Sequence, residues 1–75
     1  MGEIGKRAAD AIRRTAEKNG TSYAFELDCI GVSREMLYSW EHRKYEPTGK
    51  KLQGMAHAGY DVHYILTGKE RTNEN

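Results

Sequence analysis

The stretch of the chain that decides its fold is residues 31–43, which read GVSREMLYSWEHR. Ser33 can cap a helix because its hydroxyl oxygen can accept a hydrogen bond from a backbone N–H of the first turn. At about 100° per residue, Met36, Leu37 and Trp40 share an arc roughly 100° wide, which predicts the buried side of a helix from residue 34 to about residue 43. Side chains that can donate or accept hydrogen bonds fill the opposite arc: Arg34, Glu35, Tyr38, Ser39 and His42.

A second predicted helix ends immediately before this one. Thr21 or Ser22 can cap its start, and Gly31 can end it because glycine readily adopts the left-handed backbone conformation that closes a helix. The two helices are therefore joined by a turn of only three or four residues, which includes Val32. The inner side of the second helix is predicted to carry Ala24, Leu27 and Ile30.

Three further helices are predicted around this pair. The first covers residues 3–19, where Ala and Ile recur at three- and four-residue steps and proline is absent. The fourth begins after Pro47 with Thr48 as its cap, and the fifth covers residues 62–66 between Asp61 and Gly68. We therefore predict a compact all-α domain of five helices over residues 1–68, followed by a polar, disordered tail over residues 69–75. The apolar positions expected on the fourth helix are Leu52, Met55 and Ala56.

Composition limits what so small a domain can do. The chain has 75 residues, of which 37% are hydrophobic, so its core is thin and most enzyme classes are excluded. No Ser, His and acid form a recognisable catalytic pattern, and the three histidines lack metal-ligand spacing, so we expect no enzyme, metal or cofactor. Without an apolar run or signal peptide, the protein is expected to be cytoplasmic, with Cys29 as a small core residue.

The overall charge of +1 conceals a local bias toward basic residues. Residues 34–51 contain five Lys and Arg against three Asp and Glu, whereas residues 1–33 contain five of each kind. Phosphate binding needs such a bias, although an ordinary solvated surface can show it as well. The combination of Arg, Tyr, Ser and His on the third helix suits contact with base edges and phosphates, but a solvated helix face remains the alternative.

Several short motifs lie along the chain: Gly31-Val32-Ser33, Leu37, Trp40-Glu41, Glu46-Pro47, Gly59-Tyr60-Asp61-Val62 and Tyr64-Ile65-Leu66-Thr67-Gly68. Together they resemble the helix-turn-helix DNA-binding domains of the Cro and phage-repressor family, also called the XRE family. The resemblance covers roughly residues 3–69 and is closest to small prophage-encoded regulators. It departs from the family pattern at Glu26, which stands where an apolar residue is usual, and at Tyr23, which stands where Gln is common.

The resemblance implies a lambda-repressor-like fold in which the third helix enters the major groove of a near-palindromic operator in double-stranded DNA. It also implies a homodimer on DNA, no small-molecule ligand, and an ion pair from Glu41 to Arg13 or Arg14. Base readout is expected from Arg34, Glu35, Tyr38, Ser39 and His42. Phosphate contacts are expected from Ser22, Tyr23, Ser33, Arg43, Lys44 and Tyr45. The dimer interface is expected to include Tyr60, Val62, His63, Ile65 and Leu66, some of which must instead belong to the core.

A different class of function is also open. The nearly neutral charge favours an antitoxin-like or antirepressor-like module whose last helix binds a protein and whose DNA binding is weak or depends on that partner. A salt titration on random DNA separates the two hypotheses, because binding to phosphates weakens steeply with salt.

Overall fold

The computed structural model describes residues 3–43 and 45–69, and the described chain folds into five helices without strands. The prediction of an all-α fold with five helices is confirmed. Most of the tail predicted over residues 69–75 lies outside the described residues. The helices are α1 (Glu3–Asn19), α2 (Tyr23–Ile30), α3 (Arg34–His42), α4 (Gly49–His57) and α5 (Val62–Thr67).

Four of the helices begin at side-chain caps. In each case an oxygen of the cap residue accepts a hydrogen bond from the backbone N–H three residues later, which satisfies one of the unpaired donors of the first turn. The cap of α2 is Ser22 rather than Thr21, whose hydroxyl donates to Glu26 instead. The caps of the next three helices are those that the sequence predicts: Ser33, Thr48 and Asp61.

Helix α1 is the centre of the packing, since α2, α3 and α5 all lie against it. Its small residues Ala8 and Ala9 are buried, which allows neighbouring helices to approach its backbone closely. Ile12 of α1, Met55 of α4 and Ile65 of α5 are completely buried, and these three side chains join the helices into one core. Helix α4 contacts α2 and α5 at the edge of this core.

Three predicted core positions on α2 and α4 are wrong. The inward side of α2 follows Tyr23, Glu26, Leu27 and Ile30, and at about 100° per residue Ala24 and Cys29 fall roughly 110° to either side of it. Both are consequently exposed. Ala56 of α4 is also exposed, because this helix touches the core through Met55 and the half-buried Leu52 only.

Two glycines determine how the helices meet. Gly31 closes α2 with φ of 69°, and its left-handed conformation allows α3 to begin three residues later. Gly5 is buried where α1 passes the end of α3, and a Cβ atom there would lie 2.5 Å from the Tyr45 carbonyl oxygen and 2.6 Å from that of Trp40. Only glycine permits this approach.

No helix in the part of the chain that the structure describes is both long enough and apolar enough to span a membrane.

Candidate nucleic-acid interface

Helix α3 has a buried side and an exposed side, as its sequence predicts. Leu37 and Trp40 are buried against the body of the protein, and Met36 is half-buried beside them. The Ser33 hydroxyl oxygen accepts from the Met36 N–H at 3.0 Å, which keeps the first turn regular. The helix is thus held from one side, and its other side is free to meet a partner.

The residues predicted for base readout lie together on this other side. Arg34, Glu35, Tyr38 and His42 are exposed, while Ser39 is half-buried, and its hydroxyl donates to the Glu35 carbonyl oxygen at 3.2 Å. Four long or aromatic side chains therefore project from α3, and the half-buried Ser39 lies at one edge of the same arc. This mixture of donors and acceptors is of the kind that recognises base edges.

Aromatic and cationic groups stack at the carboxyl end of α3. The ring centroids of Tyr38 and His42 lie 4.5 Å apart, and the Arg43 guanidinium lies 5.6 Å from the Tyr38 ring centroid. Such contacts restrict side chains that would otherwise move freely in solvent. The cation is consequently held beside the exposed face of α3.

Most of the predicted phosphate-contact residues are exposed around this face. Ser22 and Ser33 lie at the N-termini of α2 and α3, where helix dipoles favour anions. Arg43 and Tyr45 follow α3, and the Tyr45 side chain is 63% exposed. Lys44 lies outside the described residues.

Tyr23 is the exception among the predicted phosphate contacts. Its hydroxyl oxygen is buried, and the Arg13 guanidinium covers the ring at 5.4 Å from its centroid. Burial, followed by the charge of Glu41, raises the pKa of Tyr23 above its ordinary value. In this arrangement the hydroxyl does not reach a phosphate, because the inward direction of α2 includes position 23.

An ion pair joins α1 to the end of α3. Arg13 donates a hydrogen bond to Oε2 of Glu41, whose side chain is largely buried. Of the two partners predicted for Glu41, the structure selects Arg13, since Arg14 pairs with Asp10 at 2.9 Å. The pair holds the carboxyl end of α3 against α1.

A groove of about 580 Å³ separates α3 from the segment that leads into α4. The Lys51 ammonium crosses from α4 to donate to the Gly31 carbonyl oxygen at 2.6 Å, and so joins α4 to the turn before α3. Cations and carboxylates both occur at the groove, so its charge is mixed. Residues that line it include Ser33, Glu35, Ser39, Arg43, Tyr45 and Lys51.

The predicted dimer segment divides into core and surface. Tyr60 and Ile65 are buried within the chain and do not face a second copy, which corrects their assignment to an interface. Val62 is half-buried, whereas His63 and Leu66 are exposed, with Leu66 at 46%. A helix of six residues can bury only one side in the core. The dimer interface expected at α5 is therefore reduced to the side of this helix that faces away from the core.

Sequence reasoning missed the role of Glu26. The residue is buried at 5% exposure, and its Oε2 and Oε1 accept hydrogen bonds from the hydroxyls of Thr21 and Tyr60 at 2.6 and 2.9 Å. Hydrogen bonding, first of all from Thr21, lowers the pKa of Glu26 despite its burial. The sequence did contain a signal, because a charged residue stands at a position where the family that the chain resembles usually has an apolar one.

Within residues 3–43 and 45–69, no group of three or more His, Cys, Asp and Glu side chains is arranged to hold a metal ion. Comparisons with protein-family models, curated proteins and solved structures found no match to this chain. The functional proposal therefore depends on the geometry and chemistry of the chain itself.

Proposed function

We propose that the protein is a sequence-specific DNA-binding transcriptional regulator that inserts α3 into the major groove of a near-palindromic operator. In this proposal α2, the turn at Gly31 and α3 form a helix-turn-helix within a lambda-repressor-like domain. The observation that carries the proposal is the exposed side of α3, on which Arg34, Glu35, Tyr38 and His42 project beside the half-buried Ser39. Nothing in the packing of the described core requires these five polar residues.

The charges around α3 support the same proposal. Ser22 and Ser33 present two helix N-termini, and Arg43 adds a cation that is held against Tyr38. Contacts of this kind place a protein on the phosphate backbone, whereas the side chains on α3 select the bases. The remainder of the chain is nearly neutral. It therefore adds little attraction to DNA that lacks the preferred sequence.

Dimerisation completes the proposal. One short helix reads too few base pairs for useful specificity. A two-fold dimer reads two half-sites about ten base pairs apart, and so doubles the number of base pairs that are read. The exposed outer side of α5, with His63 and Leu66, is the surface proposed for the second copy. A dimer formed through so short a helix is expected to be most stable on DNA, where both copies are held together.

Binding-site selection from random duplex DNA with matched variants tests base readout. Arg34→Ala should reduce discrimination at one position of each half-site by about 1–3 kcal/mol, because it removes a base-contacting guanidinium. Lys18→Ala is the control, since it removes an exposed cation from the last turn of α1 and leaves α3 unchanged. The proposal fails if Arg34→Ala and Ser39→Ala both select the same sequences as the unmodified protein with equal stringency.

Arg43→Ala should act differently from these two variants. Loss of a phosphate contact weakens binding to all sequences alike and reduces the slope of log affinity against log salt by about one. Titration of binding against salt concentration measures this slope. A change in sequence preference with an unchanged slope would assign Arg43 to the bases instead.

A protein-interaction module is the second candidate function. The exposed aromatic ring of Phe25, at 54%, and the exposed Leu66 favour it, because large apolar side chains on a surface frequently mark protein contacts. An antitoxin-like or antirepressor-like chain would show no binding to random DNA even at low salt unless its partner is present. Steep salt dependence by the isolated chain would instead favour the regulator.

A further inference from the structure

Tyr38 is the central residue on the exposed side of α3. It is the fifth of the nine residues of this helix, and at about 100° per residue it lies within about 30° of the direction opposite the inward arc. The residue is 52% exposed. When α3 meets a groove with this side, Tyr38 is therefore at the middle of the contact.

Two neighbours restrict the Tyr38 ring. The His42 ring lies 4.5 Å away between centroids, with the two planes inclined by 44°, and the Arg43 guanidinium lies 5.6 Å from the Tyr38 centroid. Both neighbours follow Tyr38 in the chain, so they hold the ring from the carboxyl end of α3. Because the side chain is already restricted in the free protein, binding through it loses little further conformational entropy.

The ring carbons of Tyr38 are the largest apolar surface on the exposed side of α3. The other four residues predicted for base readout end in a guanidinium, a carboxylate, a hydroxyl and an imidazole. The floor of the major groove has a similar composition, since its base edges present donors and acceptors together with one apolar group, the C5-methyl group of thymine. Polar groups on α3 can pair with the donors and acceptors, and the Tyr38 ring is the natural partner of the methyl group.

We propose that Tyr38 is a specificity-determining residue whose ring carbons contact the C5-methyl group of one thymine in each half-site. This inference rests on the proposed function, in which α3 enters the major groove. The selectivity comes from the ring and not from the hydroxyl, because a hydroxyl can pair with any base that offers a donor or an acceptor. Burial of one methyl group corresponds to a factor of about four in affinity.

Replacement of thymine by uracil tests this contact atom by atom. Uracil lacks the methyl group but keeps the O4 acceptor that thymine presents in the major groove. Each thymine of the selected operator, on either strand, is replaced at the equivalent position of both half-sites, and affinities are measured at one salt concentration by fluorescence anisotropy. One position should lose affinity by roughly 15-fold, which is about fourfold for each half-site, and the remaining thymines are internal controls.

Three variants assign the effect to the ring. Tyr38→Phe keeps the ring and should retain the loss of roughly 15-fold at that position, whereas Tyr38→Ala should bind the thymine and uracil operators within about twofold of each other. Tyr45→Ala is the matched control, because it removes another exposed tyrosine from the segment after α3 and should retain the full loss. Position 38 faces away from the core, so its variants should keep the fold, which far-UV circular dichroism verifies.

Three outcomes would overturn the inference. If no uracil position weakens binding of the unmodified protein, no methyl group is read. If the same position remains sensitive in Tyr38→Ala, another side chain reads it, and if Tyr38→Phe loses the sensitivity as Tyr38→Ala does, the hydroxyl is responsible. In each of these cases the chain still binds its operator, whereas absence of sequence-specific binding by the unmodified protein removes the proposed function itself, so the two failures are distinguishable.

Discussion

Replacement of Gly5 by alanine is the sharpest test of how α1 and α3 pack. The added Cβ would lie 2.5 Å and 2.6 Å from the carbonyl oxygens of Tyr45 and Trp40, whereas ordinary contacts begin at 3.4 Å. One backbone segment must therefore move by roughly 0.8–0.9 Å, a steric cost near the upper end of the range for overpacked cores, about 3 kcal/mol. Alanine regains about 1 kcal/mol of helix propensity, so the net loss of stability is about 2 kcal/mol.

Urea denaturation followed by far-UV circular dichroism measures this loss, and thermal unfolding should show a midpoint lower by about 8–16 °C. Gly54→Ala is the matched control, because Gly54 lies inside α4 and a Cβ atom there would meet no atom within 4 Å beyond its chain neighbours and the adjoining backbone of α4. The control should be more stable than the unmodified protein by up to about 1 kcal/mol. The packing described for α1 and α3 is refuted if Gly5→Ala is as stable as this control.

Three further predictions concern stability. Since the folded-state pKa of Glu26 is lowered, the stability that this carboxylate contributes is present above its unfolded pKa and is lost as the pH falls through the folded pKa. Glu26→Gln should flatten that part of the pH profile of the unfolding free energy, measured in urea at several pH values; a profile as steep as before would contradict this. Ser33→Ala should cost about 1 kcal/mol in the same assay, because the Met36 N–H loses its acceptor, and no cost would mean that water replaces the cap. Trp40→Ala should cost about 3–5 kcal/mol, whereas Phe25→Ala, at an exposed ring, should stay within about 0.5 kcal/mol; equal effects of the two variants would contradict the assigned burial.

Helix boundaries were accessible from the sequence because they depend on local interactions. The caps at Ser33, Thr48 and Asp61 bind backbone groups only three residues away, and Gly31 closes α2 through its own φ angle. The two sides of α3 were accessible for a similar reason, since a strongly periodic helix shows its buried side directly. These features include most of the candidate interface.

Other features depend on contacts between distant segments, and local patterns do not show them. The bond from Tyr60 to Glu26 spans 34 residues, and the crowding at Gly5 comes from two carbonyl groups, one within α3 and one after it. Short helices add a second difficulty, because eight residues of α2 do not reveal whether Cys29 or Glu26 faces inward. The buried hydroxyl of Tyr23 and the corrected burial at Cys29 both follow from this direction of α2.

The central claim is that α3 reads a specific DNA sequence, and the ratio of affinities for a selected operator and a scrambled duplex of equal length tests it most directly. At one fixed salt concentration, the proposed regulator should bind the selected operator at least about 10³-fold more tightly, with two copies of the chain per duplex. Equal affinity for the two duplexes, or no binding to either at low salt, would contradict the claim.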